Sequence, residues 1–268
     1  MSELPRAVVD ELPAWKGATI EKLGAGSNNT VYLVTQGSER GVLKIDSGPR
    51  ERPFNSRSEE AAVQAIAAGA GLAGRILAVG TTMIFCEYLE GSTWERASLR
   101  NAENLERTAL ALKKMHSLPL TGRSFDASIA ARRYLEKTEH LDAAIADRCQ
   151  QIIASMRLPQ NLCCCHNDLV AENMVATPDL KFLDWEYACD NDPFFDLATV
   201  VEHHELTDGE ARLLLDVYFD GNGERWREHL EKQRRLYLAL LCLWMAARPD
   251  CDVRQLDGVA KRLLTSCS

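Results

Sequence analysis

His166, Asp168 and Asn173 lie in the segment His166-Asn167-Asp168-Leu169-Val170-Ala171-Glu172-Asn173, with the spacing His-x-Asp-x-x-x-x-Asn. Asp184-Trp185-Glu186 begins eleven residues beyond Asn173, directly after the apolar pair Phe182-Leu183. Phosphoryl transfer from a nucleoside triphosphate needs a carboxylate to accept or orient a hydroxyl proton. It also needs hard oxygen ligands for Mg²⁺ against the phosphates. A loop carrying Asp168 and Asn173, with a carboxylate at a strand end nearby, supplies both. A polar hairpin with capping Asp and Asn explains any one of these residues. It does not explain the whole set in its strand–loop–strand order.

The elements that must position these residues follow from hydrophobic periodicity. In the first ninety residues, Ala18–Leu23, Val31–Thr35 and Gly41–Ile45 read as three antiparallel strands joined by hairpins. Ser47–Ser58 has turn and basic residues without periodicity and reads as a loop. Glu59–Ala68 reads as a helix with Ala62, Val63 and Ile66 inward. Two further strands fall near Arg75–Val79 and Thr82–Tyr88. Past Glu90-Gly91 helical spacing dominates, with Leu105, Ala109, Leu112 and Met115 on one face and a helical stretch over Ile129–Met156. A short β-rich insert (Leu162–Cys165, Met174–Ala176, Lys181–Leu183) carries the polar loop, and helices resume from Phe195. The expected fold is α+β: a small β-rich lobe over residues 1–90, a larger helical lobe over 91–268, and a cleft between them.

The segments CHNDLVAENMV and FLDWEYACDNDPFFDLATV resemble the catalytic and metal-binding segments of the aminoglycoside phosphotransferase/choline kinase superfamily. The chain is most similar there to bacterial choline/ethanolamine kinases and to thiamine kinases. That resemblance implies a two-lobed, protein-kinase-like fold in which His-x-Asp-x-x-x-x-Asn stands for the protein-kinase catalytic loop and Asp-Trp-Glu for its Asp-Phe-Gly. It assigns Asp168 as catalytic base, His166 as a buttress of the loop, and Asn173 and Asp184 as Mg²⁺ ligands. Asp196, in Asp192-Pro193-Phe194-Phe195-Asp196, holds the catalytic loop. ATP and Mg²⁺ are the cofactors implied.

In that frame the first lobe covers the nucleotide. Gly24-Ala25-Gly26-Ser27 lies between two strands, where small residues let backbone N–H groups approach phosphate oxygens, although a glycine hairpin is also an ordinary turn. Lys44, between Leu43 and Ile45, becomes the cation on the α- and β-phosphates rather than an edge lysine. A glutamate of the following helix holds such a lysine. Glu59, four residues before Val63 and seven before Ile66, shares their inward face, and Glu60 faces solvent. The inter-lobe hinge is Phe85–Gly91, with adenine read by backbone groups around Glu87 and Leu89.

The acceptor implied is choline or a similar amino alcohol, with thiamine and aminoglycosides as rivals and a silent kinase-like binding module as the alternative of another class. A quaternary ammonium has no N–H donors and is held by aromatic faces and carboxylates. Trp185 and Trp244 are the candidate walls, with core packing competing for Trp244 on its apolar helix. Glu202, Glu205, Asp208 and Glu210 suit a polycation or a solvated helix face. His116 reads as a packed or capping residue.

Composition sets the outer limits. The 268 residues carry 31 Lys+Arg against 39 Asp+Glu, a formal net charge of −8, which argues against nucleic acid as a partner. The longest apolar run, Leu236–Ala247, falls short of the roughly 20 residues that span a bilayer, and the first residues lack a secretory core. The nine cysteines contain no metal-type Cys-x-x-Cys pair and read as reduced thiols of a cytoplasmic protein. A small-molecule alcohol, cationic in the leading case, is the partner expected. The oligomeric state is left open.

Overall fold

The computed structural model of the chain describes residues 3–25, 29–50, 54–138, 141–156, 159 and 161–265. In chain order, α1 (Glu3–Asp10) precedes β1 (Thr19–Ala25), β2 (Asn29–Gln36) and β3 (Glu39–Asp46). Next come α2 (Arg57–Gly69), β4 (Ile76–Val79), β5 (Met83–Glu87) and β6 (Ser92–Thr93). Then α3 (Ala102–Met115), α4 (Ala127–Leu135) and α5 (Ala143–Ser155) lead to β7 (Cys163–Cys165), β8 (Met174–Ala176), β9 (Leu180–Phe182) and β10 (Cys189–Asn191). The chain ends with α6 (Pro193–His203), α7 (Asp208–Tyr218), α8 (Arg227–Ala246) and α9 (Val253–Thr265). Two compact units result: Met1–Thr93 with Met174–Ala188, and Trp94–Asn173 with Cys189–Ser268.

The first unit is built on an antiparallel sheet of order β1-β2-β3-β5-β4. Gly37 closes the β2–β3 hairpin at φ 60°, the left-handed conformation that the first position of a two-residue turn demands. Along β3 the side chains alternate. Leu43 and Ile45 enter a core with Val9, Trp15, Ala18, Val34 and Phe85, while Lys44 points to the opposite face. Trp15 and Phe85 meet edge to face at 4.8 Å. Gly41 makes room for this arrangement, since a Cβ there would lie 2.4 Å from the Phe85 ring.

The β8–β9 hairpin belongs to this unit, although its sequence is embedded in the other. β8 pairs with β6, the Phe182 N–H donates to Leu72 O at 2.7 Å, and Lys181 Nζ donates to Gly71 O at 3.1 Å. Gly91 permits the pairing, because a Cβ there would fall 2.3 Å from the Ala176 carbonyl oxygen.

The second unit is helical, with one small antiparallel pair, β7 and β10, in the register Cys165↔Cys189. Five of its helices, α3 to α7, start at side-chain caps: Asn101, Asp126, Asp142, Asp192 and Thr207 each accept from a backbone N–H of the first turn. α8 packs against α4, α5, α6 and α9, and its Leu236, Leu238, Ala239, Leu240, Cys242 and Leu243 are buried. Burial against these neighbours accounts for the longest apolar run of the sequence. Among the described residues, no helix is long and apolar enough to cross a membrane.

Candidate active site

In the first unit Lys44 and Asp184 meet. Lys44 Nζ donates to Asp184 Oδ1 at 2.9 Å and lies 4.0 Å from Glu60 Oε1. Burial alone would depress the lysine pKa, but the Asp184 and Glu60 carboxylates outweigh it and hold the ammonium above the usual lysine range. Asp184 follows the end of β9 with φ 60°, a left-handed conformation that costs a non-glycine residue on the order of 1 kcal/mol. The backbone then enters a tight turn over Trp185–Tyr187. This turn drives Trp185 inward: it is fully buried, its Nε1 donates to Phe182 O at 3.2 Å, and its ring meets Phe182 edge-on. Trp185 is therefore a core residue of the first unit and not a wall for an acceptor, which corrects the sequence expectation.

A second correction concerns α2. Glu59 does not face Lys44. Its carboxylate accepts from the Ser56 N–H at 2.8 Å and closes a capping box at the start of the helix. Glu60 is the buried residue and the one near Lys44. The buried face of α2 carries Arg57, Glu60, Ala61, Val63, Gln64 and Ala67, and Ile66 is 41% exposed. Ranking positions by apolarity put Ile66 inward. The face is instead chosen by ion pairs, because Arg57 donates to Glu60 at 2.8 Å and Asp46 at 2.6 Å, and also to Asn29.

Glu59→Gln is expected to cost about 0.5–1 kcal/mol through the weakened cap, with nucleotide affinity unchanged. Glu60→Gln is expected to raise the Kd for nucleotide roughly tenfold, about 1.4 kcal/mol. Melting curves and a nucleotide titration on both variants check this, and the reverse pattern would return the role to Glu59.

Gly24 lies near the end of β1, where an added Cβ would meet nothing within 4 Å. Gly26 and Ser27 lie outside the described residues. The Glu87 N–H donates to Arg75 O at 2.9 Å and the Tyr88 N–H to Arg40 O at 3.2 Å, so both are committed within the unit. The Glu87 carboxylate pairs with Arg75 at 3.2 Å, and Leu89 is half-buried against Gly74.

In the second unit the His166–Asn173 loop is organised by one buried carboxylate. Asp196, on α6, accepts from the His166 N–H at 2.9 Å and the Asn167 N–H at 2.7 Å. It also meets His116 Nε2 at 3.0 Å, and His116 Nδ1 in turn meets the Tyr218 hydroxyl at 2.7 Å. His166 and Asp196 are fully buried. Three donors satisfy a carboxylate that would otherwise be costly to bury. Asn167 takes φ 64°, which asparagine tolerates, and its Oδ1 accepts from Asn191 at 2.7 Å.

These contacts aim the next residue. Asp168 is half-buried, and Asn173 Nδ2 donates to its Oδ2 at 3.0 Å and to its backbone oxygen at 2.9 Å. Asn173 thus commits its NH₂ group to Asp168 and keeps its amide oxygen as the atom able to ligate a cation.

Sequence reasoning missed Tyr237, which is buried on α8. Burial pushes its phenol pKa up, and the Asp168 and Glu202 carboxylates push it further. It stands seven residues before Trp244, two helical turns away. Trp244 itself is half-buried, with the Arg248 guanidinium 4.8 Å from its ring centroid, so a cation of the chain already faces the ring. Three of the four acidic residues considered for a polycation are engaged as well, and Asp208 is exposed. Glu202 is buried and accepts from Arg234 at 2.5 Å and from Arg262, Glu205 lies 3.7 Å from Arg96, and Glu210 closes the α7 cap. His203 and His204 are pushed down to about 3 and about 4 by burial and stay neutral.

The fold is α+β, with an antiparallel sheet in the N-terminal part and helices in the C-terminal part. The chain belongs to the phosphotransferase enzyme family (APH), whose sequence model matches residues 19–231. The protein LicA of Haemophilus influenzae is 27% identical over 264 residues, spanning 90% of this chain and 76% of LicA. The choline kinase LicA from Streptococcus pneumoniae has the same fold, with a TM-score of 0.81 at 21% identity over 98% of this chain and 100% of that one. A choline/ethanolamine kinase family protein from Mesorhizobium loti gives 0.76 at 24% identity, covering 98% and 94% of the two chains.

Proposed function

We propose that the protein transfers the γ-phosphoryl group of ATP to the hydroxyl of choline or a similar amino alcohol. The observation that supports the acceptor class is the likeness to LicA, in sequence across 90% of the chain and in fold to the choline kinase LicA of Streptococcus pneumoniae. In this reading Asp168 takes or aligns the hydroxyl proton, and the hydrogen bond from Asn173 fixes the carboxylate rotamer for that task. Asp196 and His166 keep the loop in place beneath it. Lys44, its charge guaranteed by two carboxylates, neutralises the α- and β-phosphates. Residues 1–90 serve the nucleotide, and 91–268 carry the catalytic loop and the acceptor site.

The donor set fits Mg²⁺. Asp184 offers a partly exposed carboxylate that already accepts from a cation, and Asn173 offers a hard amide oxygen. These two residues would hold the ion, which when bound neutralises charge developing on the phosphoryl oxygens.

The test is ATP-dependent phosphorylation across choline, ethanolamine, thiamine, an aminoglycoside and simple sugars, followed by ADP release and by ³¹P detection of product. Choline or ethanolamine is expected to give the highest kcat/KM. Preference for thiamine, an aminoglycoside or a sugar would refute the acceptor assignment, and ADP release with none of them would refute the activity.

A further inference from the structure

The loop between β3 and α2 looks unstructured and basic in the sequence, yet the structure buries one of its arginines. The Arg50 side chain is only 9% exposed. Its NH1 lies 3.3 Å from Asp46 Oδ1 and 3.2 Å from Glu60 Oε2, and its NH2 donates to Glu186 Oε2 at 2.9 Å. One planar fork therefore spans the end of β3, the first turn of α2 and the turn after Asp184.

Glu60 is where this matters. Its Oε2 is held by both Arg50 and Arg57. Its Oε1 is buried, has no hydrogen-bond partner among the described residues, and faces Lys44 Nζ at 4.0 Å. A carboxylate gripped at one oxygen by two guanidinium groups cannot rotate away, so the other oxygen stays presented to the lysine. Four carboxylates (Asp46, Glu60, Asp184, Glu186) face three cations (Lys44, Arg50, Arg57) in this cluster. Arg50 thus also keeps Glu60 and Glu186 from repelling each other and Asp184.

We propose that Arg50 is a positioning residue for the nucleotide, acting through Glu60 to set the place of Lys44. This rests on the kinase reading above. Arginine is required for the role because a lysine ammonium is a point charge and cannot bridge three carboxylates in a fixed geometry.

The experiment is a double-mutant cycle read by calorimetric titration of Mg·ATP, with melting temperatures measured on every variant. Arg50→Lys keeps the charge and loses the fork, and it is expected to raise the Kd about tenfold while Glu60→Gln does the same alone. Because one residue acts through the other, the double variant should lose little more than Glu60→Gln by itself. Should Arg50→Lys not fold, Arg50→Gln with Glu186→Gln removes the carboxylate left unpaired and is read against Glu60→Gln in the same way. An Arg50→Lys protein with the parent's Kd, or a double variant whose loss is the product of the two single losses, overturns the role of Arg50. A parent protein that binds no Mg·ATP overturns the kinase reading itself.

Discussion

Replacing Asp168 with asparagine is expected to lower kcat by about 10²–10⁴ while leaving the Kd for Mg·ATP within a factor of about two, the pattern of a lost general base. The substitution is nearly isosteric, and Asn173 Nδ2 retains the backbone oxygen of residue 168 as an acceptor at 2.9 Å. The loop above Asp196 keeps its two N–H contacts. Only the capacity to take the hydroxyl proton disappears. Single-turnover kinetics beside a nucleotide titration separate the two quantities. Turnover above half the parent's would remove Asp168 from the mechanism.

Asp184→Ala should act on the other reactant. The variant removes a hard-oxygen donor and the hydrogen-bond partner of Lys44, leaving the ammonium with Glu60 at 4.0 Å. A dication held by few protein oxygens does not tolerate a lost carboxylate. Activity is expected to fall by about 10³ or more, the scale seen when a group stabilising transition-state charge is removed, and excess Mg²⁺ should not restore it. The rate is followed across a Mg²⁺ titration at fixed ATP. A variant with the parent's Mg²⁺ optimum and rate would end the metal assignment.

Much of the fold and of the catalytic loop is legible in the sequence. Period-two alternation located the central strands, and the run Val42-Leu43-Lys44-Ile45 already placed a lysine opposite two core residues. The spacing from His166 to Asn173 located the loop. What failed was local polarity used as a guide to direction. Arg57 reads as part of a basic loop and Glu60 as a solvent residue on a helix, and both point inward only because Asp46 and Lys44 are there to meet them. These partners are distant in sequence, so no window on the helix contains them. Trp185 failed for a related reason. The left-handed turn at Asp184 lacks the glycine that would have announced it, and that turn alone decides which way the next side chain goes.

The β8–β9 hairpin bears on how the protein is made. The first unit is discontinuous: Met1–Thr93 reaches its full set of contacts only when Met174–Ala188 has joined it. A nascent chain that has emerged as far as Thr93 lacks the strand that covers β6, the N–H that meets Leu72 O, and the carboxylate that meets Lys44. At about 5–20 residues per second, translation takes several seconds more to deliver them. During that interval Lys44 stands without Asp184 and Arg50 without Glu186, while both keep Glu60. A fragment cut after residue 93 would keep that deficit permanently, since the contacts of Met174–Ala188 could never be added.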